Sequence, residues 1–179
     1  MAENRGYMQR YAMLFGTYMG IFWIVKFIFF PLGLSVSFLL FLFVGLTICV
    51  PFMGYRYARI YRDQVCGGSI GFLHAWVFTV FMYMFAALLA AVAHYIYFRF
   101  IDQGHIVNTC ENLINTVAQS NVPGMDMDAY IAIYREALDE TRKITAIEWA
   151  MQMMSSNFLW GSLLAVPTAL FVMKREKKS

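Results

Sequence analysis

Lys26 is the only charged side chain between residues 11 and 54. A cation in a membrane segment is costly and by default marks a functional site. It can also be a side chain that lays its stem along apolar surface and carries its head to water. Three more polar residues share this setting. His94 stands late in the apolar run 71–98, and Gln152 and Asn157 stand early in the run 151–173. An imidazole and two amides can hold a solute by hydrogen bonds, or bond one helix to another. In MQMMSSNFLWGS the neighbouring Ser155 and Ser156 suit helix packing, and a polar pathway for a solute is the sharper reading.

A second group is basic. In YRYARIYRDQ, Arg56, Arg59 and Arg62 recur every third residue and so fall near one helix face. Such a row attracts anionic lipid headgroups or an acidic partner, each residue contributing about 1 kcal/mol. It serves equally as a topology anchor. A third group, His94, Arg99, Asp102 and His105, has metal-ligating and acid–base residue types. His94 and Asp102 lie about 12 Å apart along a helix, too far to share one metal. No HExxH, CxxC, phosphate-cradling loop or Ser-His-Asp arrangement occurs, so neither catalysis nor a cofactor is expected.

These residues must be positioned by membrane helices. Hydrophobic residues make up 60% of the 179 and charged ones 14%, against about 25% charged in soluble domains. The run 11–54 would extend about 66 Å as one helix, twice a bilayer's hydrocarbon core, so it must turn back. Pro31-Leu32-Gly33 is the turn-like interruption. Spans are expected over about 11–30, 34–54, 71–98 and 151–173. The fold class is all-α, a polytopic membrane protein forming one domain. The first run is too long for a signal-peptide core, so no cleavage is expected. With Gly67-Gly68 as a break, Ser69 is the expected N-cap of the third span.

Charge orients the spans. The termini and the 55–68 loop hold nine basic and three acidic residues, and the segment 99–148 holds four basic and eight acidic. By the positive-inside rule both termini are cytoplasmic. Tyr55, Tyr57, Tyr61 and Trp76 are expected at the inner interface, and Tyr95, Tyr97 and Trp149 at the outer one. Lys26 then lies about 6 Å from the outer end of its span at Phe30, within snorkelling reach. The alternative is an inward lysine paired with Asp102 or Glu148. Cys49, Cys66 and Cys110 fall in three different compartments, so no intrachain disulfide is expected.

Between the third and fourth spans, Ile106, Val107, Cys110, Leu113, Ile114 and Val117 recur at helical spacing. Pro123 and Gly124 break the pattern. Asp126 or Asp128 can cap a second helix with an apolar face of Met127, Tyr130, Ile131, Tyr134, Ala137 and Leu138. The outer segment, about 102–145, is thus expected as a helical hairpin that packs on the span ends, on lipid or on another protein.

The order of these parts, with RDQVCGGSIGFLHAW entering the third span and HYIYFRFID leaving it, resembles the small bacterial four-helix inner-membrane proteins of the domain of unknown function 4199 family. That resemblance implies no activity. It also implies a gene placed near that of a membrane-associated glycosyltransferase, and so a partner of that kind. The expected function is a non-enzymatic scaffold or regulatory subunit. The alternative is a small transporter or lipid-handling protein using the polar face of span four. Expected partners are the bilayer, anionic headgroups at the cytoplasmic face, and a membrane protein or a second copy, but not nucleic acid.

Overall fold

The computed structural model describes residues 2–119 and 127–174, which form helices almost throughout. They are α1 (Ala2–Ser35), α2 (Ser37–Gln64), α3 (Phe72–Ile96), α4 (His105–Gln119), α5 (Met127–Lys143) and α6 (Ala146–Val172). A π-helical turn, Tyr97–Asp102, continues α3. Stretches of α1, α2, α3 with its π-turn, and α6 are long and apolar enough to cross a membrane. The turn expected at Pro123-Gly124, the cap at Asp126, the side chain of Asp128 and the basic tail 175–178 lie outside the described residues.

Several boundaries differ from the sequence reading, each for a local reason. The first break falls at Val36, not at residues 31–33, because α1 runs through Pro31. A proline costs a membrane helix one backbone bond, and surrounding helices tolerate it. Gly33 has another use. A Cβ there would lie 2.8 Å from the backbone nitrogen of Leu40, so its absence lets α2 fold back after one extended residue. α2 continues ten residues past Gly54, because Ala58 and Tyr61 still face the core. Gly71, not Ser69, holds the N-cap position of α3. α6 starts at Ala146, before the apolar run, because Thr145 and Glu148 form a capping box.

α3 is the centre of the bundle. It packs against α1 and α6, and α2 packs against those two and also reaches α3. Contact is close because the facing residues are small. A Cβ on Gly16 would stand 2.7 Å from both the Met82 carbonyl oxygen and the Phe85 Cβ, and one on Gly20 would stand 2.9 Å from a Leu89 methyl. Tyr83 of α3 is wholly buried between two more glycines. A Cβ on Gly161 of α6 would lie 2.7 Å from its Cβ, and one on Gly54 of α2 would lie 2.2 Å from its hydroxyl. Tyr61, expected near the inner interface, is also buried in the core. Its ring stacks on Phe78 at 3.9 Å and its hydroxyl meets His74 Nε2 at 3.0 Å.

Backbone bonds close the end of the bundle where α2 leads into α3. Ile70 and Lys174 exchange two 3.0 Å hydrogen bonds, joining the α2–α3 loop to the end of α6. At the other end α4 and α5 lie against each other, with Arg142 paired to Glu111 and Arg135 Nη2 donating to Asn115 Oδ1 at 3.2 Å. Tyr130, Ile133 and Tyr134 on α5 remain exposed.

The Tyr83 hydroxyl is buried with no hydrogen-bond partner among the described residues. Gly54→Ala should therefore destabilise the bundle by about 1–3 kcal/mol through overpacking. Tyr83→Phe, close to neutral alone because it removes an unsatisfied group, should rescue most of that loss. Thermal denaturation of the two single variants and the double variant in detergent checks the coupling. Additive losses would count against the wedge.

Candidate functional site

All four polar residues singled out within the spans, Lys26, His94, Gln152 and Asn157, line one cavity of about 350 Å³. Trp23, Phe27 and Phe30 of α1, Phe43 of α2, and Trp149, Met153 and Ser156 of α6 complete its wall. Small-molecule sites are mostly apolar and aromatic, with a few placed polar groups, in about 300–1,000 Å³. This cavity has that make-up.

Each helix brings its residue for a definable reason. On α1, Trp23, Lys26, Phe27 and Phe30 follow the three- and four-residue spacing of one helix face. Measured to the observed end of α1 at Ser35, Lys26 lies nine residues in, about 14 Å. Lys26 is half-buried on the cavity wall. Its Nζ stands 6.0 Å from the Trp23 ring centroid and 5.3 Å from that of Phe43. Ring faces at that range attract an ammonium ion. The carboxylate partner of the alternative reading is not found: Lys26 has no ion pair and no hydrogen bond among the described residues.

Both acids that were candidates to pair with it are committed elsewhere. Asp102 accepts hydrogen bonds from the backbone N–H of Gly104 and of Ile106, each at 3.1 Å, and from the Tyr97 hydroxyl. It thereby caps α4. The left-handed backbone at Gln103 and Gly104 makes that turn. Glu148 accepts from both the N–H and the hydroxyl of Thr145 at 2.7 Å.

His94 is 4% exposed and packs edge-on to Phe27, ring centroids 4.2 Å apart. Its Nδ1 and the Trp23 Nε1 are buried with no hydrogen-bond partner among the described residues. Gln152 and Ser156 are exposed and Asn157 is half-buried. Arg99 and His105 are both exposed and neither is on the cavity wall, so the His94–Arg99–Asp102–His105 group does not assemble. Among the described residues no cluster of three or more His, Cys, Asp and Glu could hold a metal.

The arginine row divides. Arg62 is 12% exposed, donates from Nη1 to the Val172 carbonyl at the end of α6 (3.0 Å), and pairs with Asp63. Arg56 and Arg59 are exposed, and Arg59 lies 3.6 Å from Asp63. The three cysteines are free, and burial raises the thiol pKa of Cys66 and of Cys110, which keeps both protonated at neutral pH. Residues missed in the sequence are Trp23, Phe43 and Trp149 as cavity walls and Gly16 and Gly20 as the α1–α3 seam. The Gly-x-x-x-Gly spacing at 16–20 is a signal that was there to be read.

A family model described as Protein of unknown function (DUF4199) matches residues 14–174. The chain belongs to the DUF4199 family. No curated protein and no solved structure matches it. The family match covers α2, α3 and α6 completely and α1 from residue 14, and it includes every cavity-lining residue, so the cavity lies within the DUF4199 region.

Because Lys26 has no partner to orphan, Lys26→Met should leave thermal stability unchanged or raise it, as removing an uncompensated buried charge does. Arg62→Ala should lower it by about 1–3 kcal/mol by freeing the Val172 carbonyl. Melting curves of the two variants side by side decide this. A marked loss in Lys26→Met would show that the lysine is paired after all.

Proposed function

We propose that this protein is a membrane-embedded binding protein that handles a lipid or similar amphiphile in the cleft between α1, α2, α3 and α6. The observation that carries this reading is the convergence of Lys26, His94, Gln152 and Asn157 on one aromatic-walled cavity. Helix packing alone would bury such groups against one another and satisfy them. Here the Lys26 ammonium has no partner among the described residues, and the Trp23 and His94 rings on the same cavity wall each bury a nitrogen without one. The role is binding rather than catalysis, since neither candidate acid faces the cavity.

A second reading, a scaffold or regulatory subunit for a membrane partner such as a lipid-linked glycosyltransferase, is favoured by the exposed apolar residues of α5 and by Phe38 and Phe41 of α2, each more than 70% exposed. The two roles are compatible, because they use different surfaces. The membrane is the inner membrane of a bacterium, with both termini and the exposed Arg56 and Arg59 on the cytoplasmic side. The charge asymmetry of the connecting segments supports that orientation.

Extraction of the tagged protein from native membranes into polymer nanodiscs tests both roles in one preparation. Mass spectrometry should find one lipid class enriched at about one molecule per chain. A lipid profile that mirrors the bulk membrane would defeat the binding role, and a chain recovered without any stoichiometric protein would defeat the subunit role. For orientation, a fluorescent protein fused to the C-terminus should light up in the cytoplasm, and a dark fusion with an active periplasmic reporter would reverse the topology.

A further inference from the structure

We infer that the cleft takes the anionic headgroup of a membrane lipid, entering sideways between α2 and α6, with Lys26 as its counter-charge. This rests on the binding role proposed above and names its ligand class.

The polar groups on the cavity wall point to an anion. Lys26 offers three N–H donors, cannot accept, and has no partner among the described residues. Gln152 and Asn157 supply amide donors on the opposite wall. Among the described residues no carboxylate lines the cavity. A ligand rich in acceptors and carrying negative charge would satisfy this set, as a phosphodiester, phosphate or carboxylate head does.

The open side points to a lipid as the source of that head. From 37 to 49 α2 buries no residue, and from 151 to 160 α6 buries none. The cavity wall takes Phe43 from the first stretch and Gln152, Met153, Ser156 and Asn157 from the second, and a lateral entrance between them is the route this proposal uses. Phe30 and Phe43, ring centroids 5.6 Å apart, form an apolar rim beside Lys26 on which a chain can lie. Polar Gln152, Ser155 and Ser156 are exposed on a helix that crosses the membrane. In hydrocarbon that is costly unless something polar lies against them. A headgroup drawn into the cleft provides it.

The test uses the cavity-wall tryptophans as reporters. The chain has four tryptophans, and replacing Trp76 and Trp160 with Phe leaves Trp23, which is 6% exposed, and Trp149, both on the cavity wall. The full-length protein is reconstituted in nanodiscs with phosphatidylglycerol or phosphatidylcholine brominated on the acyl chains. Phosphatidylglycerol should quench their emission at about one-fifth the mole fraction that phosphatidylcholine needs, as expected for one cation near an anionic head. Lys26→Met should abolish that preference and Lys26→Arg should keep it. Equal quenching by both lipids, or a preference unchanged in Lys26→Met, would overturn the anionic class while leaving an occupied cleft. Quenching by neither lipid would overturn the binding role itself. Relief of quenching by inorganic phosphate at constant ionic strength would overturn the lipid as the source of the anion.

Discussion

In a bilayer the lipid chains are as apolar as leucine, so helices are held together by close packing and by polar bonds between them rather than by expulsion of water. The approach of α1, α2 and α6 to α3 is that packing. It depends on four glycines without side chains: Gly16 and Gly20 against α3, and Gly54 and Gly161 on either side of Tyr83. Around this wedge the buried residues accumulate, with Ala12 and Met19 from α1, Val50 and Ala58 from α2, and Ala165 and Ala169 from α6. The bonds of Ile70 to Lys174 and of Arg62 to the Val172 carbonyl then lock the same half of the bundle. One half is thereby tight enough for the other to stay open.

The open half differs in how its side chains pack and in how its charges are used. Trp23, Phe27, Phe30 and Phe43 line a cavity there, whereas the rings of the tight half stack on one another, as Tyr61 does on Phe78 and Phe15 on Tyr57. Asp102 and Glu148 lie on the segments that adjoin the cavity, and either would have been a natural counter-ion for Lys26. Each is instead held by the backbone N–H of a helix start. A carboxylate that accepts two or more such bonds is satisfied where it is. The positive character of the cavity thus follows from the demands of helix capping at α4 and α6.

The four spans were legible because hydropathy and length depend only on local sequence. Chain reversal within the first run was legible for the same reason, but its position was not. Pro31 looked like the turn, whereas Gly33 and the extended Val36 make it, and only the approach of Leu40 shows why. Lys26, His94, Gln152 and Asn157 were each visible as misfits in apolar runs. That they meet depends on how three helices are rotated about their axes, and sequence spacing within one helix does not set rotation relative to another. Arg62 was misread as one of a surface row because its acceptor is 110 residues away. The burial of Tyr61 was not legible either, because its stacking on Phe78 is a tertiary fact. The Thr145–Glu148 capping box, by contrast, was readable as T-x-x-E and went unused.

The cleft and the α4–α5 layer are joined by shared residues. Trp149, on the cavity wall, stacks on Phe98 of the π-turn at 5.3 Å, and Phe98 packs edge-on to Tyr97, whose hydroxyl bonds to Asp102. Asp102 is in turn the residue from which α4 starts. A π-turn carries one more residue per hydrogen-bonded ring than an α-helix, and such turns are frequent at functional sites. Here it swings Asp102 into the position that caps α4 while leaving Phe98 against Trp149. The exposed apolar residues of α5 are therefore one chain of contacts away from the cleft. The cleft and the exposed face of α5 are thus parts of one arrangement, so the two proposed roles are not rival accounts of the same chain.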